Sequence, residues 1–279
     1  MTGSEKFVER RAVYRRLHED GCFVQPNPWD AGSARYLEQL GFPALATTSA
    51  GLAFSRGLPD GAWAVPVEVV LEHAAELVAA TTLPVNADFE SGYANDPDGV
   101  AANVRRCVDT GVAGLSIEDS TGDRAAPLYP LDEAVARIAA ARAAIDDSGT
   151  GVLLTGRAEC FLVGVDDPLA ESIRRLTAYA EAGADVLYAP GVLELDAIAS
   201  MVKAVAPKPV NILIPASLGI TVADLAAIGV RRISVGSALA LVAWGAFARA
   251  ARTLAEEGSF AGLTGGLPYA DLNRLFTET

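Results

Sequence analysis

Histidine and cysteine are scarce in this chain of 279 residues, and that scarcity excludes several chemistries before any motif is considered. The two histidines, His18 and His73, fall in segments of helical periodicity, and the three cysteines, Cys22, Cys107 and Cys160, show no CxxC spacing. A disulfide framework and a zinc centre are therefore not expected, and the cysteines are read as small buried apolar groups. Positive charge is also short: 22 Lys and Arg stand against 35 Asp and Glu, a net charge of -13. Such a polyanion has no electrostatic footprint for nucleic acid or an acidic membrane surface, so neither is expected as a partner. The longest apolar run, Ala238 to Ala248, is far short of the roughly 20 residues of a membrane span. The opening MTGSEKFVERRAVYRRLHEDG is charged throughout and lacks the apolar core of a signal peptide, which leads to the expectation of a cytoplasmic protein. No linker, low-complexity tract or charge block divides the chain.

What the chain does have is a unit that recurs about eight times. Each unit is a short apolar run, a polar or Gly-rich turn, and a longer segment of Ala, Leu, Arg and Glu at helical spacing. The runs are CFVQ (22–25), ALATTS (44–49), PVNADF (84–89), GLSIED (114–119), GVLLTGRAE (151–159), DVLYAP (185–190), PVNILIP (209–215) and RISVGS (232–237). Consecutive apolar positions over four to eight residues are the pattern of parallel strands covered on both faces. Eight such units predict a TIM-type (β/α)8 barrel over residues 1–257, with a C-terminal helical extension over 258–279. A doubly wound sheet competes, but no GxGxxG follows the first strand.

In such a barrel the chemistry sits at the C-terminal ends of the strands. The predicted second strand ends in Thr47, Thr48, Ser49 and Ala50, and its loop reaches Asp60. The third ends in Asp88 and Glu90, the fourth in Glu118, the fifth in Arg157 and Glu159, and the seventh carries Asn211. Five carboxyl groups at one mouth would repel each other strongly without a cation. With oxygen donors only, the expected ion is Mg²⁺ or Mn²⁺. Arg157, the cation among the acids, suits a bidentate grip on a substrate carboxylate or phosphonate, or an ion pair with Glu118 or Glu159. Asp30 is read either as a helix cap or as a catalytic acid.

The segments TTSAGLAFSRGLPDG, PVNADFESGYA, GLSIEDS, LLTGRAECF and YAEAGADVLYAPG resemble the isocitrate lyase/phosphoenolpyruvate mutase superfamily in order and spacing, from about Pro26 to Ser237. The resemblance implies that Asp88 ligates Mg²⁺, with Glu90 and Glu118 completing the metal shell. It implies also that Asp60 belongs to the strand 2 loop of the site, that Arg157 is the family's strand 5 arginine, and that Thr47, Thr48, Ser49 and Ala50 cradle a carboxylate or phosphonate; Asn211, by its place on the seventh strand, is read as a further substrate contact. Glu90 stands where the family usually has Asp. The loop after the fourth strand, Ser120 to Tyr129, has no Cys, Lys or His, whereas isocitrate lyases carry a catalytic Cys there.

The function expected on this basis is a Mg²⁺-dependent lyase. It would cleave a carbon–carbon bond of a small 2-oxo or 2-hydroxy dicarboxylate through a metal-stabilised enolate, with Arg157, Glu159 and Asp60 as catalytic candidates. The alternatives are a C–P bond enzyme acting on phosphonopyruvate or phosphoenolpyruvate, and a metabolite-binding barrel without catalysis. The end of the eighth strand, Val230 to Ala238, resembles a phosphate grip, or is a tight turn. A homodimer or homotetramer is expected from the resemblance, with the tail from Gly258, spaced as an amphipathic helix, exchanged between subunits or folded on its own barrel.

Overall fold

The computed structural model describes residues 3–277. Strands β1 (Phe23–Gln25), β2 (Leu45–Ala46), β3 (Val85–Asp88), β4 (Gly114–Glu118), β5 (Leu153–Arg157), β6 (Val186–Tyr188), β7 (Val210–Leu213) and β8 (Arg232–Ser234) all lie inside the eight predicted runs. Between them run α1 (Gly3–Leu17), α2 (Ala31–Gln39), α3 (Ser49–Ser55), α4 (Val67–Ala80), α5 (Pro97–Asp109) and α6 (Leu131–Ser148). Then follow α7 (Cys160–Val163), α8 (Pro168–Glu181), α9 (Leu195–Val205), α10 (Val222–Ala227), α11 (Ala238–Glu257) and α12 (Tyr269–Thr277). The sheet order is β1-β8-β7-β6-β5-β4-β3-β2 with every pair parallel, and the remaining seam is bridged where the Ala46 N–H donates to the Pro26 carbonyl at 3.0 Å. This is the expected (β/α)8 barrel with a C-terminal helical extension.

Side chains alternate across each strand. One set, including Leu45, Leu115, Ile117, Leu154, Leu187 and Ile212, is buried toward the helices. The other set faces the barrel axis, and at the N-terminal end it forms an apolar plug of Phe23, Ala44, Leu153 and Val186 closed from outside by the fully buried Tyr14 of α1. A Cβ on Gly114 would lie 2.7 Å from Tyr14 Cε1 and 2.6 Å from Asn86 Oδ1, so only glycine lets both enter there. The arginine-rich α1 is a packing face: Arg10 donates to Val78 O, and the buried Arg11 donates to Val108 O and Val112 O at the end of α5.

Asp30 is a helix cap. Its carboxylate accepts from Ser33 N in a capping box at α2, which leaves no reason to assign it to catalysis. The three cysteines are free thiols, with Cys107 and Cys160 fully buried. At the other end of the chain α12 rests against α2, where Gln39 donates to Leu275 O at 3.2 Å. Among the described residues α11 is the one helix long and apolar enough, by length and composition alone, to cross a membrane. Arg249 and Arg252 interrupt its apolar run, which is why the uninterrupted stretch in the sequence is shorter.

Candidate active site

The strand ends bring the predicted acids together. Glu118 and Arg157 are register partners on β4 and β5, and Arg157 faces Tyr188 on β6. Arg157 Nη1 lies 3.2 Å from Asp88 Oδ1 and 3.1 Å from Glu118 Oε2, and its Nε donates to Glu159 Oε1. The Tyr188 ring lies under the guanidinium at 5.3 Å from its centroid. One cation thus gathers three carboxyl groups, from the ends of β3 and β4 and from the N-cap of α7. Burial works against its charge, but Glu118 and Glu159 hold it protonated and push its pKa further up.

The acids respond in the other direction. Burial raises the Glu118 pKa well above the usual range; Arg157 opposes this, and Glu159 and Asp88 add to it. Glu159 is raised by burial against the pull of Arg157, and Asp60, on the exposed rim, by burial and by Asp88. Glu90 is pushed to about 7, first by burial, with its hydrogen bond from Tyr93 opposing and Asp88 contributing. Its Oε1 accepts from Tyr93 Oη at 2.7 Å, so the extra methylene relative to Asp turns the carboxyl toward that phenol.

The backbone that carries Glu90 is strained. Glu90 and Tyr93 have φ of 40° and 53°, a region that costs a non-glycine residue on the order of 1–3 kcal/mol. The loop is held there by Arg137 of α6, which donates to Ser91 O and Ala94 O at 2.7 Å each, and by Asn103, which donates to Gly92 O and Tyr93 O. A second clamp holds the base of the β4 loop. Asp119 Oδ1 accepts from Glu159 N at 2.9 Å, and its Oδ2 accepts from Tyr179 Oη and Arg175 Nη1 at 2.6 and 3.0 Å.

The Thr/Ser segment does not offer free hydroxyls alone. Thr47 Oγ1 accepts from Asp88 N at 2.8 Å, and Thr48 caps α3 by accepting from Gly51 N. The Ser49 N–H donates to Asp88 Oδ2 at 3.0 Å. Asp88 is therefore fixed through its backbone N–H on Thr47 and through its carboxylate, which accepts from Ser49 N and Arg157 Nη1, and it lines the mouth. His73 is behind this wall on α4, donating to Trp29 O, and His18 is at the opposite end of the barrel.

A cavity of about 140 Å³ opens among these groups. Thr47, Thr48, Ser49, Ala50, Asp60 and Asp88 form one wall, and Arg157, Tyr188, Asn211, Ser234 and Arg232 the other. Glu90, Glu118 and Glu159 stand behind the surface rather than on it. Gln25, Asn86, Ser116 and Arg232 were missed in the sequence, although period-two alternation joins Asn86 to Asp88, Ser116 to Glu118 and Arg232 to Ser234 on the inner face. No group of three His, Cys, Asp or Glu among the described residues closes into a ready metal cage.

The phosphoenolpyruvate phosphomutase family model matches residues 14–255. This chain belongs to the phosphoenolpyruvate mutase/isocitrate lyase superfamily, a group of lyases and mutases. A solved structure from Burkholderia cenocepacia J2315, described only as a lyase/mutase, is 45% identical over 98% of this chain and 97% of its own, with a TM-score of 0.92. An oxaloacetate decarboxylase of Bradyrhizobium sp. is 34% identical, over 69% of this chain and 68% of that protein. Oxaloacetate acetylhydrolase, solved with its product oxalate and with the inhibitor 3,3-difluorooxalacetate, is 28% identical over 96% of this chain, with a TM-score of 0.84. Of the oxalate-bound structure, 94% is covered, and of the inhibitor-bound one, 93%.

Proposed function

We propose that this chain is a magnesium-dependent lyase that breaks a carbon–carbon bond of a small 2-oxo or 2-hydroxy dicarboxylate, with oxaloacetate as the first candidate. The observation that carries the proposal is the polarity of the cavity: the carboxylates Asp60 and Asp88 line one wall beside the Thr47–Ser49 segment, and the guanidinium groups of Arg157 and Arg232 line the other with Asn211, Tyr188 and Ser234. An acid chelated at one end and held at the other fits between them. Relatives that act on oxaloacetate, a decarboxylase and an acetylhydrolase, support the choice of substrate.

The donors fit magnesium. They are oxygen only, they exceed the local cations, and burial together with mutual repulsion raises Asp60, Glu90, Glu118 and Glu159. A small ion that keeps most of its water needs one or two direct carboxylates rather than a cage. Asp88, with Glu90 and Glu118 beside it, would hold the ion. Bound there, magnesium would supply Lewis-acid polarisation of the substrate's C2 oxygen.

The protein's own groups do the rest. Arg157 orients the acid near Asp88 and pairs with the buried acids. Tyr188 lines the cavity beside Arg157, and its phenol, pushed to about 12 chiefly by burial, keeps its proton at neutral pH. It is suited to protonate the carbon left by cleavage. Glu159, tied to Arg157 behind the wall, is a positioning residue for that guanidinium, and Asp60 is on the wall at the rim.

The test is purified protein with Mg²⁺ and oxaloacetate, measured against the metal-only rate. Release of pyruvate and CO₂, or of oxalate and acetate, supports the proposal. Phosphate release or rearrangement of phosphonopyruvate would favour instead the C–P chemistry that the phosphomutase family match makes the second choice.

A further inference from the structure

One layer below the carboxylates, the barrel holds a second cation with a different environment. Arg232 is 2% exposed and lines the cavity on the β8 side. Its Nε donates to Asn211 Oδ1 at 2.8 Å, its Nη2 to Thr155 Oγ1 at 3.1 Å, and its Nη1 to Tyr14 Oη at 2.9 Å. His18 Nε2 lies 3.4 Å from the same Nη1. That imidazole is neutral, pushed down to about 3 by burial and by the charge of Arg232. Among the described residues no carboxylate is within ion-pair distance of Arg232, whereas Arg157 and Arg175 each hold acids. The other buried arginines without close acids, Arg11 and Arg137, donate to backbone carbonyls rather than to cavity-lining groups.

A buried cation with only neutral partners is unfavourable. An anion in the cavity offsets that cost. A second observation comes from the wall opposite. Asn86 lines the same cavity, and its Oδ1, buried beside Gly114 below the lining, has no hydrogen-bond partner. Buried acceptors are rarely left unpaired, so a donor belongs there. The cavity floor thus carries a cation without an acid, beside an amide whose oxygen lacks a donor. Asn211 is oriented for the same purpose. With its Oδ1 held by Arg232, its Nδ2 donates to Ser234 Oγ at 3.0 Å, and both groups face the cavity.

We propose that Arg232 is the specificity-determining residue of an anion subsite on the β7–β8 side of the cavity floor, which takes the acid group of the substrate farther from Asp88. The identity of that acid as a carboxylate rests on the lyase proposal; its negative charge does not. Arg232 selects for a second acid by charge and, through Asn211, by the direction of an amide.

Calorimetry on the 279-residue chain with Mg²⁺ tests this with two probes, oxalate, which lacks a distant acid, and 3,3-difluorooxalacetate, which has one. Arg232→Met is expected to weaken difluorooxalacetate by tenfold or more and oxalate by less than threefold, with Arg232→Lys recovering part of the loss. Because Arg232→Met opens a buried site, Asn211→Asp is the companion. It places a carboxylate on Arg232, and is expected to raise the Tm while abolishing the preference for difluorooxalacetate. Equal changes for both probes in Arg232→Met, or an Asn211→Asp protein that keeps its preference, would overturn the proposal. Arg232-dependent binding of difluorooxalacetate without cleavage of oxaloacetate would sink the lyase reading and leave the subsite standing. Failure of the wild type to bind either probe would remove both.

Discussion

Glu118 and Arg157 stand opposite each other at the ends of neighbouring strands, and their side chains meet at 3.1 Å although burial raises the acid's pKa. The contact makes the arginine the common partner of Asp88, Glu118 and Glu159. A point charge on a flexible stem cannot replace a planar fork at such a position. Arg157→Lys should therefore lower kcat/KM by about 100-fold or more, a loss of roughly 3 kcal/mol of transition-state stabilisation. Steady-state assays with Mg²⁺ check it; retention of more than half the activity would remove Arg157 from the chemistry.

Glu90 makes the stability of the metal-free protein depend on pH. Its pKa rises from 4.5 to about 7 on folding, so the native state binds the proton more tightly than the unfolded chain. Stability from this group is fully present below pH 4.5 and declines as pH rises toward about 7, by roughly 3 kcal/mol in the limit. The expected Tm in chelator is higher at pH 5.5 than at pH 8. Mg²⁺ should restore part of the difference at pH 8 by binding the native state, and Glu90→Gln should flatten the slope. A profile that rises over this window in both proteins would contradict the account.

Much of this organisation was legible in the sequence, for physical reasons that differ by element. The strands could be found because parallel strands covered on both faces must be apolar at consecutive positions, as in Leu115 and Ile117 of β4. The acids could be found because charged groups at the ends of such strands have no other place in a barrel. What the chain of letters did not give was the use of each group. Thr47 and Thr48 look like substrate hydroxyls, yet both are engaged by backbone N–H groups. Arg232 looks like a surface residue beside Arg231, but the alternation along β8 turns it inward while Arg231 donates to Gly21 O outside. The Asp119–Arg175 clamp joins residues 56 positions apart, and no local pattern announces a pairing at that separation.

That clamp has its own consequence. Asp119 and Arg175 are 2% and 6% exposed, and Asp119 also accepts from Tyr179 and from the backbone N–H of Glu159. Removing one member of a buried pair leaves the other uncompensated, at about 3–5 kcal/mol. Asp119→Ala should lower stability by that amount in urea unfolding and displace Glu159. The paired change Asp119→Leu with Arg175→Met should cost less than Asp119→Ala alone. A single variant within 1 kcal/mol of wild type, by the ordinary scale of surface substitutions, would show that the clamp carries little.

Helix α11 is almost wholly uncovered and exposes Leu241, Val242, Trp244 and Phe247. An apolar groove formed by Ile214, Pro215, Ala216, Leu239 and Val242 adjoins it on the same side of the barrel. Contiguous apolar surface of this kind marks an association site, and a second copy of the chain offers both the helix and the groove. The expected state in solution is a homodimer or homotetramer, read by light scattering. Trp244→Glu with Phe247→Glu should shift it to monomer, whereas truncation after Gly258 should do so only if the tail is exchanged between subunits. A wild-type monomer at micromolar concentration would exclude self-association as the cover for this face, and the apolar helix would then need another partner.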